Sequence, residues 1–223
     1  MKLYMHPAST TSRPVMQFIA DNKIACEQQV VDLFKGEHHG EAYTKVNPNR
    51  MVPMLEDGDF RLSESATILR YLAETIGSAA YPKGLRPRAK VDELLDWFNS
   101  NFYRDWGYGL VYPQVFPQHK RADDAVQSAT VAWGLDRSKV WLKTLNDHWL
   151  GHGKSWLTGE LSIADYFGIG LVTAGELIHC DFKPYPNVVR WVAAMKARPS
   201  YGEIYQVFNG IVESTKSQQF ARV

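Results

Sequence analysis

The stretch Met51-Val52-Pro53-Met54-Leu55, followed by Asp57-Gly58 and then Ser63-Glu64-Ser65, decides how this chain folds. The apolar run predicts a strand from Val52 to Leu55 with a proline inside it, and Asp57-Gly58 predicts a hairpin turn back into residues 60–62. Proline has no backbone donor and is excluded from central strands, so its place just ahead of a turn asks for a reason. A cis Val52-Pro53 bond supplies one, because it presents the backbone N–H and C=O of Val52 to a ligand. Ser63-Glu64-Ser65 opens a helix that carries Ile68, Leu69 and Leu72 inward and ends near Gly77. Glu64 and Ser65 at its amino end are placed to hold a charged head group. Each feature alone reads as an edge proline or a plain helix cap. Their order and spacing describe a receptor for an extended peptide with a free amino acid end.

Upstream, residues 2–5 read as a strand, and Val15, Phe18 and Ile19 fall at helical spacing behind the polar run Ser9-Thr10-Thr11-Ser12-Arg13. Residues 28–33 alternate as a second strand. A loop rich in Gly and His (35–40) and a short helical piece with Ala42 and Tyr43 then lead to Asn47-Pro48. The order β-α-β-α-β-β-α over residues 1–80 is that of a thioredoxin-like α/β domain.

Tyr81-Pro82-Lys83-Gly84-Leu85-Arg86-Pro87 reads as a linker, since two prolines and a glycine break any periodic element. Residues 88–223 are helical in pattern and predict an all-α bundle. Val91, Leu94, Leu95, Phe98 and Phe102 form one apolar stripe, and Ala132, Leu135, Leu142, Leu145 and Trp149 a second. Ser162-Ile163-Ala164-Asp165 has the form of a capping box. Helices are also predicted over 188–197, stopped by Pro199, and over 201–212.

A chain of 223 residues with 45% hydrophobic content can bury a sizeable core. Twenty-five basic against 24 acidic residues give a net charge of +1 without a basic run, which argues against a nucleic-acid partner. No segment has the run of about 18 apolar residues that a membrane span needs, and no amino-terminal signal is visible. Cys26 and Cys180 stand far apart without paired spacing, which fits packing residues in a reducing, cytoplasmic compartment. His148 and His152 have i, i+4 spacing but no third ligand, so no metal is expected.

In this order of elements, and in Leu33-Phe34-Lys35-Gly36-Glu37-His38, Asn47-Pro48, Val52-Pro53, Asp57-Gly58-Asp59-Phe60 and Leu62-Ser63-Glu64-Ser65-Ala66-Thr67-Ile68-Leu69, the chain resembles cytosolic glutathione transferases over its whole length. It is most similar to a serine-type, theta-like bacterial branch. The resemblance implies a homodimeric detoxifying enzyme that conjugates glutathione, its cosubstrate, to small hydrophobic electrophiles. Val52, beside a cis Pro53, would pair with the cysteinyl part of glutathione. Ser65 and the helix amino terminus would bind the γ-glutamyl carboxylate and Glu64 its ammonium. His38, with His39 as a competing choice, would reach the glycine carboxylate. Met51 stands where many relatives carry a polar residue, and Arg50 supplies a positive charge one residue earlier.

A free thiol of pKa ~8.5 is only about 3% thiolate at pH 7, and the thiolate is the nucleophile. A downward shift of ~2 units, roughly 2.7 kcal/mol, would make most of it anionic. Ser9, where the similar theta-like proteins keep their catalytic serine, is favoured as the donor to sulfur. Thr10, Thr11 and Ser12 offer alternative hydroxyls, with Arg13 adding positive field. The same run would serve as a helix start without catalysis. Ser9 and Ser12 reproduce Cys-x-x-Cys spacing without sulfur, so dithiol exchange is excluded. The electrophile is expected between the two domains, against Phe102, Trp106, Tyr108 and Tyr112, with His6 or Thr11 from the first loop and Phe208 from the last helix. A binding module on the same scaffold, and a glutathione-dependent peroxidase, isomerase or dehalogenase, are the alternatives.

Overall fold

The computed structural model describes residues 1–223. Four short strands form one mixed sheet in the order β2-β1-β3-β4. β1 (Lys2–Met5) runs parallel to β2 (Glu27–Val30), with Lys2 opposite Glu27, after a crossover through α1 (Ser12–Asp21). β3 (Met54–Asp57) is antiparallel to β1, with Leu3 opposite Leu55, and folds back into β4 (Phe60–Leu62) through a turn at Gly58-Asp59, one residue later than expected because Asp57 pairs with Phe60 in the ladder. A 3₁₀ turn (Glu37–His39) and α2 (Glu41–Val46) fill the segment between β2 and β3, and α3 (Ser65–Thr75) closes the unit. The Val52-Pro53 bond is cis. Val52 and Pro53 precede β3 rather than lying in it, so proline takes no place in the ladder and the objection to it disappears. β2 also stops at Val30, short of residue 33, because Asp32 turns the chain by accepting the amides of Phe34 and Lys35.

The remaining chain is helical. α4 (Leu85–Trp97) takes in the last residues expected of the linker. Pro87 sits in its first turn, where a missing N–H costs nothing. α4 continues into wide, π-type turns at Phe98–Phe102 and Arg104–Val111 before α5 (Tyr112–Val115). α6 (Asp124–Thr144) crosses those turns through Gly134. A Cβ there would stand 2.4 Å from the Gly109 backbone. This crossing rotates α6 so that Val131, Gly134, Ser138 and Leu142 are buried, while Ala132, expected on the apolar stripe, is exposed. α7 (Ile163–Val172), α8 (Pro186–Lys196), α9 (Tyr201–Ile204) and α10 (Gln206–Ser214) follow. The helix expected over 201–212 is thus broken at Tyr205. Asp165 closes the amino end of α7, accepting from the N–H of Ser162 (2.8 Å), its hydroxyl (2.9 Å), Leu157 N–H (3.0 Å) and Trp191 Nε1 (2.9 Å).

The first unit and the helices share one apolar core. Leu3, Val15, Phe18, Ile68 and Leu72 belong to the same buried cluster as Phe98, Trp106, Phe167 and Trp191. Polar bonds pin the seam. Tyr166 donates to the Asp21 carboxylate (2.9 Å), which also takes the Ser200 hydroxyl (2.6 Å) and pairs with Arg198. Burial by itself would raise the Asp21 carboxyl. The bonds from Ser200, Arg198 and Tyr166 outweigh it and hold the group below its ordinary value. A depressed folded pKa stabilises the protein at pH values above the unfolded pKa, and the contribution is lost as pH falls through the folded one. Asp21→Asn is therefore expected to cost about 3–5 kcal/mol at neutral pH and to flatten the acid limb of a stability profile measured by denaturant melts.

Candidate active site

A cavity of about 310 Å³ opens between the first unit and the helices, lined by Thr11, Asn47, Asn49, Met51, Val52, Pro53, Ser63, Glu64, Ser65, Asn99, Tyr103, Arg104 and Tyr108. Three segments of the first unit build one wall. The first is the β1–α1 loop, where the Ser9 hydroxyl accepts the Ser12 N–H (3.2 Å) and lies 3.3 Å from that of Thr11. The Thr11 hydroxyl donates to the Val52 carbonyl (3.1 Å), so the shared proton between Ser9 and Thr11 is Ser9's. Two linked hydroxyls therefore end on the backbone of the cis peptide. Of the four candidate hydroxyls, only that of Thr11 belongs to a cavity-lining residue. Ser9 stands directly behind it. Thr10 is buried and takes the Tyr112 hydroxyl (2.8 Å), and buried Ser12 takes the His6 N–H (3.5 Å).

The second segment is the turn before Pro53. The Met51 carbonyl accepts from the Tyr43 hydroxyl (2.6 Å) and Asn47 Nδ2 (2.8 Å), while Asn47 Oδ1 caps the Asn49 N–H (3.0 Å). Burial raises the Tyr43 phenol to about 12, against a lowering bond with Asn47, so it stays a donor. These bonds leave the Val52 N–H without a protein acceptor beside the cavity. The third segment is the amino end of α3. No side chain caps it, so its first-turn amides remain open to an anion. Glu64 holds φ +67, which costs a residue with a side chain about 1–3 kcal/mol. The strained residue lies at the cavity wall. Glu64→Gly is accordingly expected to raise stability by relieving the backbone and to raise KM for a ligand carrying an ammonium group, whereas Glu64→Gln raises KM alone. Thermal melts and initial rates distinguish the two variants.

The opposite wall comes from the wide turns after α4. Asn99, Tyr103, Arg104 and Tyr108 face the cavity. The fully buried Asp105 carboxylate grips Arg104 Nε (2.6 Å), Trp141 Nε1 (2.7 Å) and Arg137 Nε (3.5 Å). Burial would raise Asp105, but these donors, Arg104 foremost, keep it depressed and charged. The Tyr103 hydroxyl lies 2.7 Å from that of Tyr112. Burial lifts Tyr112 to about 12 and also pushes the Tyr103 phenol well up, so both remain phenols at neutral pH.

Several residues expected at the site lie elsewhere. Phe102, Trp106 and Phe208 are core residues: Trp106 donates to the Leu171 carbonyl (3.0 Å), and Phe208 lies under the Arg13 guanidinium (3.7 Å). Phe102 and Trp106 continue the inward stripe of Phe98 at i, i+4 spacing, and Asn99 and Tyr103 on the other face stand at the cavity. His6 is buried edge-on to Phe34, and Tyr112 reaches the cavity wall only through Tyr103 and Thr10. Arg13 is fully buried and donates to the Ala8 (2.9 Å) and Gly170 (3.3 Å) carbonyls, so it braces the hydroxyl loop from behind. His38, whose ring lies 3.9 Å from that of His39 at a tilt of 42°, and exposed Arg50 also stand outside the cavity lining. Asn47, Asn49, Ser63, Asn99, Tyr103 and Arg104 were not anticipated as lining residues. The polar i, i+4 pair Asn99 and Tyr103, opposite the Phe98 stripe, was the available signal for the far wall.

Residues 1–74 match the family "Glutathione S-transferase, N-terminal domain". Human glutathione S-transferase theta-1 is 35% identical over 206 residues, covering 88% of this chain and 82% of the relative. Bovine theta-1 is 32% identical over 229 residues, covering 98% and 91%. This chain belongs to the glutathione S-transferase family. Among solved structures, human glutathione-S-transferase T1-1 in its apo form superposes with a TM-score of 0.78 at 32% identity, covering 95% of this chain and 90% of that one. Human glutathione transferase theta-2, in complex with glutathione and an unknown ligand, gives 0.83 at 26% identity, covering 100% and 93%. Within this transferase fold no three His, Cys, Asp or Glu side chains come together as a metal site, and no helix is long and apolar enough to cross a membrane.

Proposed function

We propose that this theta-like transferase binds glutathione in the cavity between its halves and conjugates the activated thiolate to small hydrophobic electrophiles. The observation that carries this reading is the convergence of three features at one cavity: the Ser9–Thr11 hydroxyl pair behind the Val52 carbonyl, the Val52 N–H and the uncapped first turn of α3 beside Glu64. The γ-glutamyl carboxylate meets the α3 amides and Ser65, its ammonium meets Glu64, and the cysteinyl backbone pairs with Val52. That arrangement leaves sulfur at the hydroxyl loop. Ser9 releases its bond to Thr11 and donates to the thiolate, while Thr11 keeps the Val52 carbonyl in place. The electrophile enters on the Tyr103, Arg104 and Tyr108 side, where no water-binding carboxylate lines the wall.

Two features support the wider setting. Phe60 on the hairpin is 45% exposed and Met51 55%, an apolar surface that a second copy would cover in a homodimer. Cys26 and Cys180 are both free, and burial raises the Cys180 thiol to about 12, which suits an inert residue in the cytoplasm. The enzyme reading is tested by turnover of glutathione with aryl halides, epoxides and alkyl halides. Conjugates from any one class uphold it. Tight glutathione binding without turnover on all three would instead favour a binding module.

A further inference from the structure

Arg13 is fully buried, and its two acceptors, the Ala8 (2.9 Å) and Gly170 (3.3 Å) carbonyls, are neutral. No carboxylate pairs with it, and its Nε is buried without an acceptor. A charge placed so is costly unless something else compensates it. Two aromatic faces do. The guanidinium carbon lies 3.7 Å from the centre of the Phe208 ring and 4.9 Å from that of Tyr205, within the reach over which a ring face attracts a cation, and such an attraction is strongest away from water.

The rings are themselves held. Tyr205 stands at the break between α9 and α10, its ring meets that of Phe208 at 90°, and it stacks on Tyr201 with centres 3.9 Å apart. The Tyr205 hydroxyl has no partner, and burial raises it to about 12, so Tyr205 offers Arg13 a neutral face and no counter-charge. From this corner Arg13 reaches the Ala8 carbonyl, which belongs to the peptide bond between Ala8 and Ser9. The next side chain is that of Ser9, whose hydroxyl accepts the Ser12 N–H and meets Thr11.

We propose that Phe208 and Tyr205 are positioning residues for thiol activation: they hold the Arg13 guanidinium against the Ala8 carbonyl and so fix the Ser9 hydroxyl, although neither ring lines the cavity. The proposal rests on Ser9 as the donor to glutathione sulfur. Without the faces the guanidinium loses its compensation, leaves the seam and releases the Ala8–Ser9 peptide.

Phe208→Leu keeps an apolar side chain and removes the nearer face. In the unliganded variant the Ser12 N–H is expected to exchange with solvent about tenfold faster, measured relative to the amides of β3. With glutathione bound, the thiol pKa should rise toward its free value near 8.5 and kcat should fall about tenfold, with KM for glutathione within about twofold. Tyr205→Leu should act in the same direction, and Tyr205→Phe, which restores the face and drops only an unpartnered hydroxyl, should rescue both readouts. A ring that serves packing alone would lower stability without moving the Ser12 amide or the thiol pKa, and that result in Phe208→Leu would overturn the proposal. Glutathione bound to the unsubstituted protein with its thiol at the free value would instead overturn Ser9 as the donor, whereas the Ser12 exchange decides the aromatic clamp in either case. Where Phe208→Leu does not fold, the Tyr205 pair gives the same two readouts.

Discussion

Ser9→Ala is expected to lower kcat/KM for glutathione conjugation by about 10²–10³, the usual effect of removing one donor to a developing anion. The bound thiol should return to its free value near 8.5, read as thiolate absorbance against pH. In the unliganded protein the Ser9 proton rests on Thr11, whose own proton is committed to the Val52 carbonyl. Thr11→Val is therefore expected to loosen the Val52 peptide proposed above to pair with glutathione, so that its effect falls on KM while the thiol pKa stays low. The reverse pattern, with a restored thiol pKa in Thr11→Val and not in Ser9→Ala, would transfer the activating role to Thr11.

Gly170→Ala should be nearly as damaging, although Gly170 is on α7 and touches no ligand. A Cβ there would stand 2.4 Å from Pro14 Cγ and 2.7 Å from the Thr10 carbonyl oxygen. The Gly170 carbonyl also accepts from Arg13. Forcing the extra methyl into this seam is expected to cost about 1–3 kcal/mol in denaturant melts. It should also lower kcat, because the atoms it displaces carry the Ser9–Thr11 pair. A variant that loses stability yet keeps full kcat would show that the hydroxyl loop is not positioned from α7.

The first wall of the site was legible because its signals are local. A proline before a hairpin turn and a Ser-Glu-Ser helix start fix the backbone within a few residues, and the structure has the cis bond and an α3 beginning at Ser65. The Ser162–Asp165 cap was readable for the same reason. The far wall was legible only in part. The Phe98–Phe102 stripe turns Phe102 inward and the Asn99–Tyr103 pair marks the opposite face, but that this face meets the cavity depends on the wide turns after Trp97 and on α6 crossing at Gly109 and Gly134, a contact about 25 residues apart along the chain. Arg13 misled in a related way. Its place beside the hydroxyls suggested a field on sulfur, but only the tertiary structure reveals the Gly170 carbonyl and Phe208 ring that claim it. The Glu64 strain likewise belongs to the folded backbone and leaves no mark in residue type.

The uninterrupted core from Leu3 to Trp191 bears on how such proteins can diversify. Halves from different relatives cannot be exchanged freely at residue 84, since α1 and α7 meet side chain to side chain and Asp21 needs Arg198 and Ser200 from the far end of the chain. Recombination that swaps electrophile preference has to carry α1 along with α7, or else confine itself to the outer turns between Asn99 and Tyr108. Inheritance of new chemistry should therefore run through that short arc, with the seam itself passed on intact.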